Sequence, residues 1–175
     1  MAETRLAKIV MTASIALYAA IVAFDNMTDY ESNFMFVRHV LSMDTTFPHN
    51  ALMYRAITAP ALWTLAYWLI IAAEGLTSIA FAIGAAALWH HRASPAARFQ
   101  RAKGPIVLGA TLGFLLWFTG FTVVAGEWFA MWQSRAWNGQ QAAFRITLTL
   151  LAVLIFVMQP DREPVSDRRV SRAAE

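Results

Sequence analysis

Glu74 is the residue of this sequence whose type and position could support chemistry. It lies within residues 59–89, a run of 31 that contains no other charged side chain. Such a run is long enough to cross a bilayer as a helix, and a central aspartate there costs roughly 2.5–3.5 kcal/mol on insertion. The carboxyl group of Glu74 is therefore expected to face protein or water, to find a partner, or to be protonated.

Hydroxyl groups at the same depth could complete a site around this carboxyl group. Thr77 and Ser78 follow Glu74 at i+3 and i+4, which places the three side chains on one helical face. Glu74 lies roughly 21 Å along its helix from Pro60, slightly past the middle of the bilayer. Matching this depth on the other apolar segments adds the hydroxyl groups of Thr12, Ser14 and Thr111.

No lysine or arginine lies at the depth predicted for Glu74. Two interpretations of the site stay open. It is either a proton- or cation-binding site used in transport or ligand binding, or a protonated carboxyl group that hydrogen-bonds inside the protein or contacts another subunit.

Arg145 is a second charged residue inside an apolar segment. It lies about three residues into that segment, level with Glu127 and Asp25 at the ends of two others. We predict that Arg145 forms an ion pair with Glu127 or Asp25 near the outer surface. The alternative is that Arg145 extends its side chain to the membrane interface, as long basic side chains do.

Four apolar segments must position these residues, at 6–24, 60–89, 105–124 and 142–158. Hydrophobic residues make up 58% of the 175 positions and charged residues only 14%, against about a quarter in soluble domains. A hydrocarbon core of about 30 Å needs about 20 helical residues, and helices satisfy their own backbone groups in lipid. We predict an all-α, four-helix membrane bundle over residues 1–159 and a polar tail over 160–175. Gly109 and Gly113 allow close helix packing, inside the bundle or toward a partner.

Basic residues indicate the orientation of this bundle. Ten lysines and arginines fall on the side of the termini and four on the other side. Positively charged loops stay in the cytoplasm, so we predict a bacterial inner-membrane protein with both termini cytoplasmic. The isoelectric point of about 9.7 reflects this topology, and we predict no binding to nucleic acid.

Residues 25–58 form a long outer segment between the first two apolar segments. Thr28 and Glu31 have the spacing of a capping box, and the pattern after them predicts a short amphipathic helix over 29–42 that lies on the membrane or across the bundle. Four charged residues are expected to attach this segment to the bundle or to present it to a partner: Asp29, Arg38, Asp44 and Arg55. The spacing of the histidines and acidic residues is not typical of a metal site, and we predict neither a metal nor a cofactor.

A group of residues in this segment and the next apolar segment carries a family resemblance. They are NMTDY at 26–30, Asn33, Val37, His39, Val40, MDT at 43–45, YRA at 54–56, and Glu74. With them the sequence resembles the bacterial predicted small integral membrane proteins classed as domain of unknown function 2165, over about residues 8–157. The resemblance implies an inner-membrane protein with four spans, and it implies no reaction.

Catalytic signatures are missing from the sequence. It has no cysteine, no phosphate-binding loop, no nucleophilic triad and no zinc-protease motif, so we predict that the protein is not an enzyme. The leading interpretation is an accessory or structural subunit that contacts the lipid bilayer and packs against a membrane-protein partner or a second copy. The alternative is a small proton-coupled or ligand-binding carrier that uses Glu74.

Overall fold

The computed structural model describes residues 2–161, and within that range it is helical without strands. The all-α fold predicted from the sequence is confirmed. Most of the predicted tail, from residue 162 onward, lies outside the described residues. The α-helices are α1 (Ala2–Thr28), α2 (Tyr30–Ser42), α3 (Pro60–His90), α4 (Ala96–Arg101), α5 (Gly104–Phe114) and α6 (Gln140–Met158); a π-helix (Leu115–Trp128) continues α5, and single 3-10 turns lie at Met53–Arg55 and Met131–Gln133.

Four of the helical stretches are long and apolar enough to cross a membrane: Ala2–Thr28, Pro60–His90, Ala96–Trp128 and Gln140–Met158. Each contains one of the predicted apolar segments. The first and third extend beyond the predicted ends, because polar residues at a helix terminus do not stop helical hydrogen bonding.

The junction between α1 and α2 differs from the prediction. Thr28 does not cap α2, because its hydroxyl group donates to the carbonyl oxygen of Phe24 at 2.9 Å and belongs to the last turn of α1. Such back-bonding to the residue four positions earlier is common for threonine. Asp29 alone separates the two helices and makes no side-chain capping bond, so the capping box is wrong, although a helix is present over Tyr30–Ser42.

Many large apolar side chains of the spans face outward, while small residues lie at helix contacts. Large apolar side chains such as Leu17, Leu69 and Ile155 are exposed, whereas Ala19 and Ala80 are buried. A soluble protein rarely exposes apolar patches of this extent. Lipid-facing leucines and small residues at helix contacts are the arrangement expected of helices that pack within a bilayer.

Glycines of the third span set its distance to α3 and to α6. A Cβ atom on Gly109 would lie 2.8 Å from the ring of Phe81, and one on Gly113 would lie 2.6 Å from the side chain of Leu150. The Gly109/Gly113 pair therefore serves packing inside this chain.

The bundle has two chemically different ends. At one end, which we call the basic end, Lys8 at the start of α1 and Lys103 before α5 both donate to the carbonyl oxygen of Gln159, which follows α6. At the other end, which we call the roof end, α2 lies across α3 and buries Val37 against Tyr67.

The π-helix lies in the roof half of the third span. Bonds to carbonyl oxygens five residues earlier mark it, as in Phe129 N to Val124 O at 3.1 Å. Such helices are usually single turns and frequently occur at functional sites. This one carries Trp117 and Phe121, whose rings line the pocket described below.

Candidate functional site

Glu74 is buried in the middle of α3, with 2% of its surface exposed. Its Oε2 atom accepts a hydrogen bond of 2.8 Å from Nδ2 of Asn26. Asn26 lies in the last turn of α1, so this bond joins the end of one span to the interior of another. The position of the carboxyl group is thus fixed by a neutral amide.

Tyr67 fixes that amide in turn. Its hydroxyl group donates to the backbone carbonyl oxygen of Asn26 at 2.7 Å. This oxygen is one of the last four of α1, which have no partner within their own helix. Tyr67 lies about two turns before Glu74 on the same helix, and the two residues hold Asn26 from both sides.

Among residues 2–161, no cationic side chain pairs with this carboxyl group. The ion pairs among the described residues are Lys8–Asp161, Lys103–Asp161 and His39–Asp44, and none involves Glu74. Within residues 2–161 the bond from Asn26 is the one hydrogen bond made to its side chain, so Oε1 is left for a further donor. A buried carboxylate normally has a cationic partner or takes up a proton.

Glu74 lines a cavity of about 240 Å³ in the roof half of the bundle. All four spans and α2 contribute to its wall. The aromatic and polar residues of the wall are Tyr18, Phe36, Tyr67, Trp117, Phe121, Asn26, Asn33 and Glu74. The cavity is therefore an aromatic chamber with a single acidic group.

The hydroxyl groups predicted around Glu74 do not gather there. Ser14 and Thr111 are exposed and donate to carbonyl oxygens of their own helices. Thr12 is buried but donates to Lys8 O at 2.7 Å. Ser78 donates across the helix contact to Ala16 O at 2.9 Å.

Thr77 is the exception among these hydroxyl residues. It is fully buried next to Glu74 on α3, and its hydroxyl group has no hydrogen-bond partner among the described residues.

The prediction that these hydroxyl groups lie level with Glu74 is wrong, because the ends of the helices are not aligned. Glu74 pairs with Asn26, which is 14 residues, or roughly 21 Å, from Thr12 along α1. The first part of α3 extends past the end of α1 and is covered by α2 instead. The carboxyl group of Glu74 therefore lies level with the last turns of α1, although Glu74 is in the middle of α3.

The predicted ion pair of Arg145 is also wrong. Arg145, Glu127 and Asp25 are all exposed, and none forms an ion pair among the described residues. The buried face of α6 contains Ala143, Ile146 and Thr147. Arg145 points away from that face, which agrees with the alternative of a side chain that extends to the interface.

Two of the four outer-segment charges attach this segment to the spans. The guanidinium group of Arg38 lies 5.6 Å from the ring of Trp63. That of Arg55 lies 4.4 Å from the ring of Trp128 and donates to its carbonyl oxygen at 3.2 Å. Asp29 is exposed.

Asp44 has a partner that the sequence analysis did not predict. One of its carboxylate oxygens lies 2.8 Å from Nδ1 of His39, whose ring stacks on Trp137 at 4.7 Å. The described residues contain no group of three His, Asp or Glu side chains that could share a metal ion.

A buried charge cluster at the basic end was also missed. Asp161 accepts bonds of 3.0 Å from Lys8 and 2.6 Å from Lys103, whose side chains are each 1% exposed. Burial by itself raises the pKa of the Asp161 carboxyl, but the hydrogen bonds and charges of the two lysines outweigh it and lower that pKa. The sequence analysis assigned these two lysines to the cytoplasmic side, and no spacing rule links them to a residue beyond the last span.

The fold is that of an integral membrane protein. It has four helices of membrane length, apolar outward faces and small residues at the helix contacts. The profile of the family described as predicted small integral membrane protein, domain of unknown function 2165, matches residues 4–160. The chain belongs to this family, as the resemblance implied. No curated protein and no solved structure matches it.

Proposed function

We propose that this protein is a non-enzymatic membrane protein that binds a small positively charged group in the cavity beside Glu74. The observation that carries the proposal is a buried carboxyl group, without a cationic partner in the described chain, on the wall of an aromatic cavity. The sequence analysis gave a proton-coupled or ligand-binding carrier as its alternative, and this proposal takes up the ligand-binding form.

The chemistry of the wall favours an ammonium group as the ligand. Oε1 of Glu74 can accept a charge-assisted hydrogen bond, which is roughly twice as strong as a neutral one. Trp117 and Tyr67 contribute aromatic rings to the wall, and aromatic rings attract cations through their quadrupoles. An anionic ligand would meet the carboxyl group and gain nothing from these rings.

The proposed location is the bacterial inner membrane, with both termini in the cytoplasm. The excess of basic residues on the side of the termini supports this orientation. It places the roof end and the Glu74 cavity on the outer side of the membrane.

The accessory-subunit role stays a prediction. A partner or a second copy would need a surface other than Gly109 and Gly113, because those glycines pack within the chain. Arg38 and Arg55 are likewise engaged with Trp63 and Trp128.

A ligand-induced shift in thermal stability tests the binding proposal. Purified protein in lipid nanodiscs is titrated with butylammonium, and with butanol as the uncharged control. A ligand at 100 times its Kd stabilises the folded protein by about 2.7 kcal/mol, so we expect the Tm to rise with butylammonium alone.

Two variants make this experiment specific. Glu74→Gln keeps an acceptor for Asn26 but removes the negative charge, and it should abolish the shift. Glu127→Gln removes an exposed carboxylate elsewhere and should preserve it. An equal shift in wild type and Glu74→Gln would refute the proposal.

A further inference from the structure

A second cavity adjoins the Glu74 cavity. It has a volume of about 340 Å³ and lies between α2, α3 and the π-helix. Every residue that lines it is apolar, including Val40, Leu69, Val124 and Phe129. We call it the apolar groove.

The groove and the Glu74 cavity share four wall residues: Phe36, Val37, Ile70 and Phe121. Two of these stand between the cavities as a stacked pair, since the rings of Phe36 and Phe121 lie 6.1 Å apart. The cavity with its one acidic group and the apolar groove are therefore direct neighbours.

The groove is open on the lipid-facing side of the bundle. Leu69 is 61% exposed and Val124 is 43% exposed, and both belong to helices of membrane length. A hydrocarbon chain could therefore reach the groove laterally from the bilayer, without crossing water.

We propose that the ligand is a single-chain amphiphile with an ammonium head group. The head binds Glu74 in the aromatic cavity and the hydrocarbon chain occupies the apolar groove. This inference rests on the proposed function and adds the ligand class. Because lipid is as apolar as the groove, the chain delivers and orients the ligand, while the contact with Glu74 supplies selectivity.

Photolabelling tests the inference. The protein in nanodiscs is irradiated with dodecylammonium that carries a diazirine near the end of its chain, and labelled peptides are mapped by mass spectrometry. We expect labels on the π-helix and on α3 around Leu69. Glu74→Gln should lower this labelling by about tenfold, as expected for the loss of one charge-assisted contact. The matching diazirine alcohol should label these sites weakly.

Gly120 gives a variant that blocks the groove alone. It lines the groove and not the Glu74 cavity, and a Cβ atom there would meet nothing closer than Leu115 O at 3.6 Å. Gly120→Leu should reduce groove labelling to background and leave the Tm shift with butylammonium unchanged. Ala125→Leu, in the same groove, repeats the test if Gly120→Leu does not fold, and Ala82→Leu on the exposed face of α3 is the matched control.

The outcomes separate the two proposals. Undiminished labelling in Gly120→Leu and Ala125→Leu, or equal labelling by the alcohol, would overturn the amphiphile while leaving the cation site intact. If butylammonium did not raise the Tm of the wild type, or raised that of Glu74→Gln equally, the proposed function itself would be refuted.

Discussion

At the scale of single residues, the two buried carboxyl groups of Glu74 and Asp161 have opposite kinds of hydrogen-bond donor. Asp161 receives two lysines, whereas Glu74 receives one neutral amide. A neutral donor orients a carboxyl group without cancelling its charge, so Glu74 keeps its capacity for a proton or a cation. Asp161 has no such capacity left and acts as a structural ion.

Replacing Asp161 should therefore destabilise the fold. Asp161→Asn leaves Lys8 and Lys103 buried without a counter-charge, and removal of one partner from a buried ion pair costs about 3 kcal/mol or more. We expect a loss of that size in the free energy of unfolding, measured by denaturant titration in mild detergent at neutral pH. Glu3→Gln removes an exposed acidic group near the same end and should have no measurable effect.

The same carboxylate gives a prediction for pH. The folded-state pKa of Asp161 lies below its ordinary value of 3.8. Its contribution is therefore complete above that value and is lost as the pH falls through the lower folded-state pKa. Wild-type stability should drop more steeply below pH 3.8 than that of Asp161→Asn. Parallel curves for the two proteins would show that Asp161 is not paired.

At the scale of elements, the apolar runs predicted which segments form helices but not how their ends align. An apolar run indicates how long a helix is and that it contacts lipid, which is why the bounds of the helix at 60–89 were predicted almost to the residue. It does not report that α3 extends past α1, and this offset decides that Asn26, and not Thr12, lies beside Glu74. The Asn26–Tyr67 contact joins residues 41 apart and follows no local pattern.

Glycine packing between α3 and the third span can be tested at this scale. Gly109→Ala brings a methyl group within 2.8 Å of the buried Phe81 ring, and overpacking of this kind costs roughly 1–3 kcal/mol. Gly75→Ala meets nothing within 4 Å and should be neutral or stabilising by about 0.5–1 kcal/mol. Thermal unfolding of both variants checks the contrast, and equal effects would contradict the packing described.

For the whole molecule, lipid is the solvent that makes the arrangement stable. Many leucines face outward, small residues lie at the helix contacts, and polar groups collect at the basic end and around the roof-end cavity. The sequence predicted that the protein lies in a membrane and that it has four spanning helices. It could not indicate the cavity, because five helices contribute to its wall and no single segment carries its pattern.

Contact between Glu74 and a ligand nitrogen is the most direct test of this account. Protein labelled with carbon-13 at the glutamate carboxyl groups is placed in bilayers with nitrogen-15 butylammonium, and solid-state NMR measures carbon–nitrogen dipolar dephasing. The account predicts that one glutamate signal dephases and that this signal is missing from Glu74→Gln. Dephasing that survives the substitution, or none in wild type, would contradict it.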